Sequence, residues 1–94
     1  MAQTFSCDIE TDGLNPTVVW CIVVQNVYDN QIIAFHGDVL GLFKPFLASE
    51  VDTLVFHNGI GFDVPVLERL LDIDFIDVTI EDTLVMSQLD EPRR

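Results

Sequence analysis

The sequence is short of positive charge. Four Lys and Arg stand against sixteen Asp and Glu, a formal charge of −12 at pH 7. Affinity for a phosphate backbone comes from Lys and Arg neutralising it, so this chain does not hold nucleic acid by its own surface charge. If it handles a polyanion, divalent cations or another protein segment must supply the missing charge. Cysteine is scarce as well. Cys7 and Cys21 lie in apolar, strand-like runs with no CxxC and no His at ligand spacing. That favours two buried, reduced thiols over a disulfide. No charged start followed by an apolar stretch opens the chain, and no apolar run approaches the roughly 20 residues of a membrane span. The expectation is a soluble, intracellular protein.

What is present is apolar: 49% of the residues are hydrophobic and seven are Phe. Ninety-four residues make one small domain (1–94) that can bury a core. A domain of this size buries a modest share of its surface, so it gains from a partner, a metal or further chain.

The stretch "TFSCDIE" alternates, with Phe5, Cys7 and Ile9 on one side and Thr4, Ser6, Asp8 and Glu10 on the other, the period of a strand. "TDGLNP" reads as a turn. "TVVWCIVVQ" is a β-branched and aromatic run that predicts a central strand covered on both faces. After "VYDNQ", "QIIAFHG" returns as a third strand, giving an antiparallel meander. "DVLGLFKPFLAS" has helical spacing, and Pro45 predicts a helix that is short or kinked there. "DTLVFHN" reads as a buried strand. "FDVPVLERLL" reads as a helix with Pro65 in its first turn and Val64, Leu67, Leu70 and Leu71 on one stripe. A short strand is expected over 75–78, and "TLVMSQL" starts a helix that Asp82 could cap. The order is βββ, α, β, α: an α/β domain.

Asp8 and Glu10 are two apart on a strand, so both emerge on one face, with Cα atoms roughly 7 Å apart. Two carboxylates that close repel unless a cation sits between them, and the first basic residue is Lys44. A divalent ion is one solution, and oxygen-only ligands favour Mg²⁺ or Mn²⁺. A solvated polar face is the other. Asp63 precedes Val64-Pro65 and is either a helix N-cap or a third carboxylate of the same cluster. His57 and Asn58 close a predicted strand, where loops leave an α/β sheet and sites form. His57 by itself reads as a structural histidine.

These segments resemble a known family. "DIETDGL" resembles the first motif of the DEDD (DnaQ-like) 3′–5′ exonucleases, "HNGIGFDVPVL" the second, and "EDTLVMSQL" the segment that follows in the proofreading domain of phage family-A DNA polymerases. The resemblance covers most of the chain but about the first half of the family's domain. It implies a ribonuclease H-like mixed sheet, with three antiparallel strands leading and then α-β-α, truncated before the last helices. It implies two Mg²⁺ or Mn²⁺ ions, with Asp8 bridging them and Glu10 and Asp63 completing their shells. Thr11 and Leu14 would contact the terminal nucleotide, and Asn58 and Phe62 would line the cleft. The implied partners are a single-stranded DNA 3′ end and either the missing polymerase and exonuclease segment or a second copy of the chain. The implied setting is the cytoplasm of a phage-infected bacterium. The family's fourth carboxylate, with a Tyr or His four or five residues before it, would lie beyond Arg94, which predicts a chain that is weak or inactive alone. A different reading is an acidic protein-interaction module that keeps the fold, with Asp72, Asp74, Asp77, Glu81 and Asp82 as its patch.

Overall fold

The computed structural model describes residues 3–13, 15–57 and 59–83. Strands β1 (Gln3–Thr11), β2 (Val19–Asn26) and β3 (Ile32–His36) form the expected antiparallel meander. Cys7 lies opposite Val24 and Ile9 opposite Ile22, while Ile22 faces Phe35 on the other side. The chain then crosses through a 3-10 turn (Gly37–Leu42) and helix α1 (Phe43–Glu50) to β4 (Val51–Phe56), which runs parallel to β1 with Phe5 beside Leu54. A π turn (Gly59–Asp63) and helix α2 (Val64–Leu71) lead to β5 (Thr79–Asp82), parallel to β4 with Phe56 beside Asp82. The sheet order is β3-β2-β1-β4-β5.

Alternation along β1 sets the layers. Phe5, Cys7 and Ile9 turn to the helices and are buried, and their register partners Val24 and Ile22 are fully buried on the same side. Leu54 and Phe56 of β4 continue that face, and Leu67 of α2 covers it. Four phenylalanines lock α1 onto the meander: Phe5 and Phe46 meet edge-on at 5.1 Å, and Phe35 and Phe43 at 5.3 Å. Edge-to-face pairs at such separations add to the burial of their area.

Three local expectations change. Pro45 does not interrupt a helix; α1 begins at Phe43, so Pro45 falls in the first turn, where no intrahelical N–H is needed, and the irregular part is the 3-10 turn before it. The last strand is Thr79–Asp82 rather than 75–78, because Ile80 and Asp82 are the inward residues of a strand registered on β4. β2 is an interior strand but is covered on one face only: Cys21, Val23 and Gln25 are half-buried, and Trp20 is 59% exposed beside the register shift at Glu10/Thr11. The helix expected over "TLVMSQL" lies outside the described residues, apart from its first residue, Thr83.

Candidate functional site

The carboxylates gather at one end of the sheet. Asp8 stands exposed on the face of β1 that the helices do not cover, next to the β4 end that carries His57. Asp63 ends the π turn and enters α2, and it is 92% buried by its relative exposure of 8%. No side-chain capping bond holds it, so helix capping does not account for it. Pro65 follows in the first turn as expected. Asp82 ends β5, with 3% exposure.

Electrostatics tie the three together. Burial raises the Asp63 carboxyl from the ordinary aspartate range to about 6, and the charges of Asp8 and then Asp82 push the same way. Cys7, buried on the helix side of β1, has its thiol pushed far up by burial first, then by Asp63 and Asp8. A buried carboxylate facing two more is an excess of negative charge, a setting in which a cation is stabilised. The donor oxygens and the charge therefore suit a hard divalent ion. Among the described residues, however, no three His, Cys, Asp or Glu side chains are close enough together to hold a metal. Glu10 is exposed on the face of β1 that carries Asp8, opposite Cys21, and is not among the groups acting on Asp63.

Around the acids the chain is tied in detail. Asp12 organises the loop after β1: its Oδ1 accepts from the N–H groups of Thr17 (2.9 Å) and Val18 (3.1 Å), and its Oδ2 from the Thr17 hydroxyl (2.6 Å). Those bonds lower its carboxyl to about 2. Gly13, at φ 148°, takes a backbone conformation that side chains rarely adopt. Thr11, half-buried, donates its hydroxyl to Gly13 O at 2.9 Å. Arg69 of α2 reaches back to Pro16 O at 2.7 Å, so the loop after the first acidic strand is fastened to the helix that carries the third acid. Phe62 is half-buried and packs against the core. Leu14 and Asn58 lie outside the described residues.

Beside Asp8 a cavity of about 490 Å³ opens on the uncovered face, lined by Ser6, Asp8, Val23, Gln25, Val55 and His57 among others. The Thr83 hydroxyl donates to Phe56 O at 3.2 Å and lies 3.0 Å from His57 Nδ1. With its one hydrogen directed at Phe56, the Thr83 hydroxyl accepts from His57, which places a hydrogen on Nδ1. His57 is thus held by a structural bond and also borders the cavity.

The residue that sequence reasoning placed elsewhere is Asp82. Read as a helix cap or as part of a surface patch, it is instead a buried strand end beside Asp63. The signal lay in "TIED", where period-2 alternation on β5 puts Ile80 and Asp82 on one side and Thr79 and Glu81 on the other.

An antiparallel meander followed by two parallel crossovers, with carboxylates at one sheet end, is the architecture of an RNase H-like α/β domain. The family model described as RNase_H superfamily matches residues 5–87, and the chain belongs to that superfamily. Among solved structures, the family B DNA polymerase from the hyperthermophilic archaeon Pyrobaculum calidifontis is similar, with a TM-score of 0.72 at 17% identity. That match covers 94% of this chain and 16% of the polymerase chain, and at this identity it speaks for the fold. The ribonuclease H-like fold that the motif resemblance implies is the fold the chain adopts. No curated protein matches the sequence.

Proposed function

We propose that this chain is part of a metal-dependent 3′–5′ DNA exonuclease domain of the proofreading type, as found in phage-type DNA polymerases. The observation that carries the reading is Asp63: a buried carboxyl raised to about 6 beside Asp8 and Asp82, at the end of an RNase H-like sheet. Asp8, Glu10 and Asp63 are the residues that would hold Mg²⁺ or Mn²⁺. When bound, such ions supply Lewis acidity for phosphodiester hydrolysis, lowering the pKa of a water and stabilising the leaving oxygen. The protein's own part is positional. β1 fixes Asp8 and Glu10 on one strand face, and the Arg69 to Pro16 bond holds the β1–β2 loop against the helix entered through Asp63. Thr11, Leu14, Asn58 and Phe62 are assigned to the substrate's terminal nucleotide by motif. The charge of −12 means that a polymerase segment, or the ions themselves, must draw the DNA in.

The test is thermal melting with increasing Mn²⁺ for the natural chain, Asp8→Ala and Asp63→Asn. A rise in Tm of several degrees for the natural chain, lost in both variants, is the expected result, since a ligand that binds only the folded state stabilises it. An equal response to Mn²⁺ in all three proteins, whatever their metal-free Tm, would remove the metal site. The acidic interaction module would then take its place, reduced to Asp72, Asp74, Asp77 and Glu81, because Asp82 is buried.

A further inference from the structure

We propose that the cleft between α1 and the loop before β5 is a docking site for a protein segment that carries an aliphatic side chain flanked by Lys or Arg. Leu47, Val51, Ile73 and Val78 are its apolar lining, and the exposed Asp74 and Asp77 border it. Val51 begins β4 and Val78 immediately precedes β5, and the two strands run parallel. The cleft therefore lies at the sheet end opposite Asp63 and Asp82, away from the candidate metal site.

The occupant follows from three features. The first is size. The cleft holds about 230 Å³, below the roughly 300–1,000 Å³ of pockets that enclose small-molecule ligands. It suits one side chain of a segment lying across it. The second is charge. Lys44, the basic residue of the cleft, meets Asp72 only at 4.0 Å with both side chains exposed, a pair too solvated to offset the acids. Asp74 and Asp77 stand beside it, and the exposed Glu50 and Asp52 flank Val51 in sequence. A segment bearing Lys or Arg is drawn to this rim, whereas nucleic acid and a second copy of the chain, at −12, are repelled. The third is apolar surface outside the cleft. Ile76 is 82% exposed between the two acids, and its N–H donates to Asp74 Oδ1 at 3.0 Å. An apolar centre within a polar rim, with an isoleucine left uncovered at its side, is the anatomy of a protein contact.

This inference does not rest on the nuclease reading, and it is tested on the full chain in EDTA, so that its failure leaves the metal site untouched. The probe is a fluorescein-labelled peptide with one leucine between two pairs of lysines, followed by fluorescence anisotropy at low salt. Saturable one-to-one binding is expected, weakened about tenfold when serine replaces the leucine, because the burial of that side chain is lost. Ala48 lines the cleft from an exposed position on α1, so Ala48→Leu fills the space without touching the core. It should weaken the leucine peptide about fivefold and leave its salt dependence unchanged. Asp74→Asn with Asp77→Asn should weaken both peptides about tenfold at low salt and little at high salt. Asparagine at position 74 keeps the acceptor for the Ile76 N–H. Absence of saturable binding overturns the proposal. Equal affinity for the leucine and serine peptides, or indifference to Ala48→Leu, overturns it as well, leaving charge attraction alone. A chain that sediments as a dimer, and as a monomer once Ala48→Leu is introduced, overturns it in favour of a second copy.

Discussion

The two faces of one strand behave as different materials. On the helix side of β1, Phe5, Cys7 and Ile9 are buried among Ile22, Val24, Leu54 and Leu67. On the other side, a rotation of half a pleat away, Ser6, Asp8 and Glu10 meet half-buried Cys21, Val23 and Gln25 around an open cavity. The first face holds the fold together by area removed from water. The second keeps carboxylates accessible at the cost of leaving apolar side chains partly wet. The difference teaches that stability and chemistry are divided by strand parity here: a one-residue slip of β1 would exchange them completely.

The sharpest way to break the comparison is to empty one position on each face. Phe43→Ala, at 1% exposure in the aromatic cluster, should cost about 3–5 kcal/mol. Val23→Ala, half-buried on the open face, should cost under about 1 kcal/mol. Urea unfolding of both variants checks this, and equal losses would mean that the open face is also core.

The next effect is carried by the border between the faces. Asp63 titrates near 6 in the fold against an ordinary value of 3.8. The folded state therefore binds this proton more tightly than the unfolded one. Metal-free stability from this group is complete below pH 4, declines as the pH rises through 6, and is level above. Asp63→Asn should remove that decline and stabilise the metal-free protein at pH 7 by about 1–3 kcal/mol. Unfolding free energy measured between pH 4 and 8 settles it; parallel profiles for the two proteins would place the charge elsewhere.

The smallest effect belongs to the loop after β1. Asp12 is held at about 2 by Thr17 and Val18, so its contribution is present above 3.8 and fades as the pH falls to 2. Asp12→Asn should therefore cost a little stability at pH 7, where the contribution is complete, lose that effect as the pH falls to 2, and shift the acid transition slightly upward. Circular dichroism between pH 2 and 5 detects the shift.

Much of the architecture was legible in the sequence because it rests on short-period signals. The alternation of "TFSCDIE" and the β-branched runs gave β1 to β4, and the stripe of Val64, Leu67, Leu70 and Leu71 gave α2. What failed needed tertiary context. Pro45 looks like a breaker until the helix is known to start at Phe43. "DIDFIDVTIED" has too many acids to read as a strand until parallel pairing with β4 selects Thr79–Asp82 and sends Asp82 inward. For the site, Asp8 and Asp63 were legible through their motifs. The electrostatic link of Asp82 to Asp63 was not, because it depends on two crossovers that bring residues distant in sequence to one sheet end.

The position of β1 also has a consequence for the order of assembly. On one side it pairs with β2 through a single short connection, while on the other it pairs with β4, so that Ser6 lies beside Val55. The meander can zip from local turns, but the parallel ladder requires closing a loop of nearly half the chain, which is slower. Folding should thus pass through a transition state with the meander formed and β4 and α2 still loose, seen as higher φ-values at Ile22 than at Leu67. In such a sequence of events Asp8 and Asp63 meet late, after the nucleus has formed, and their repulsion speeds unfolding while leaving the folding rate nearly untouched.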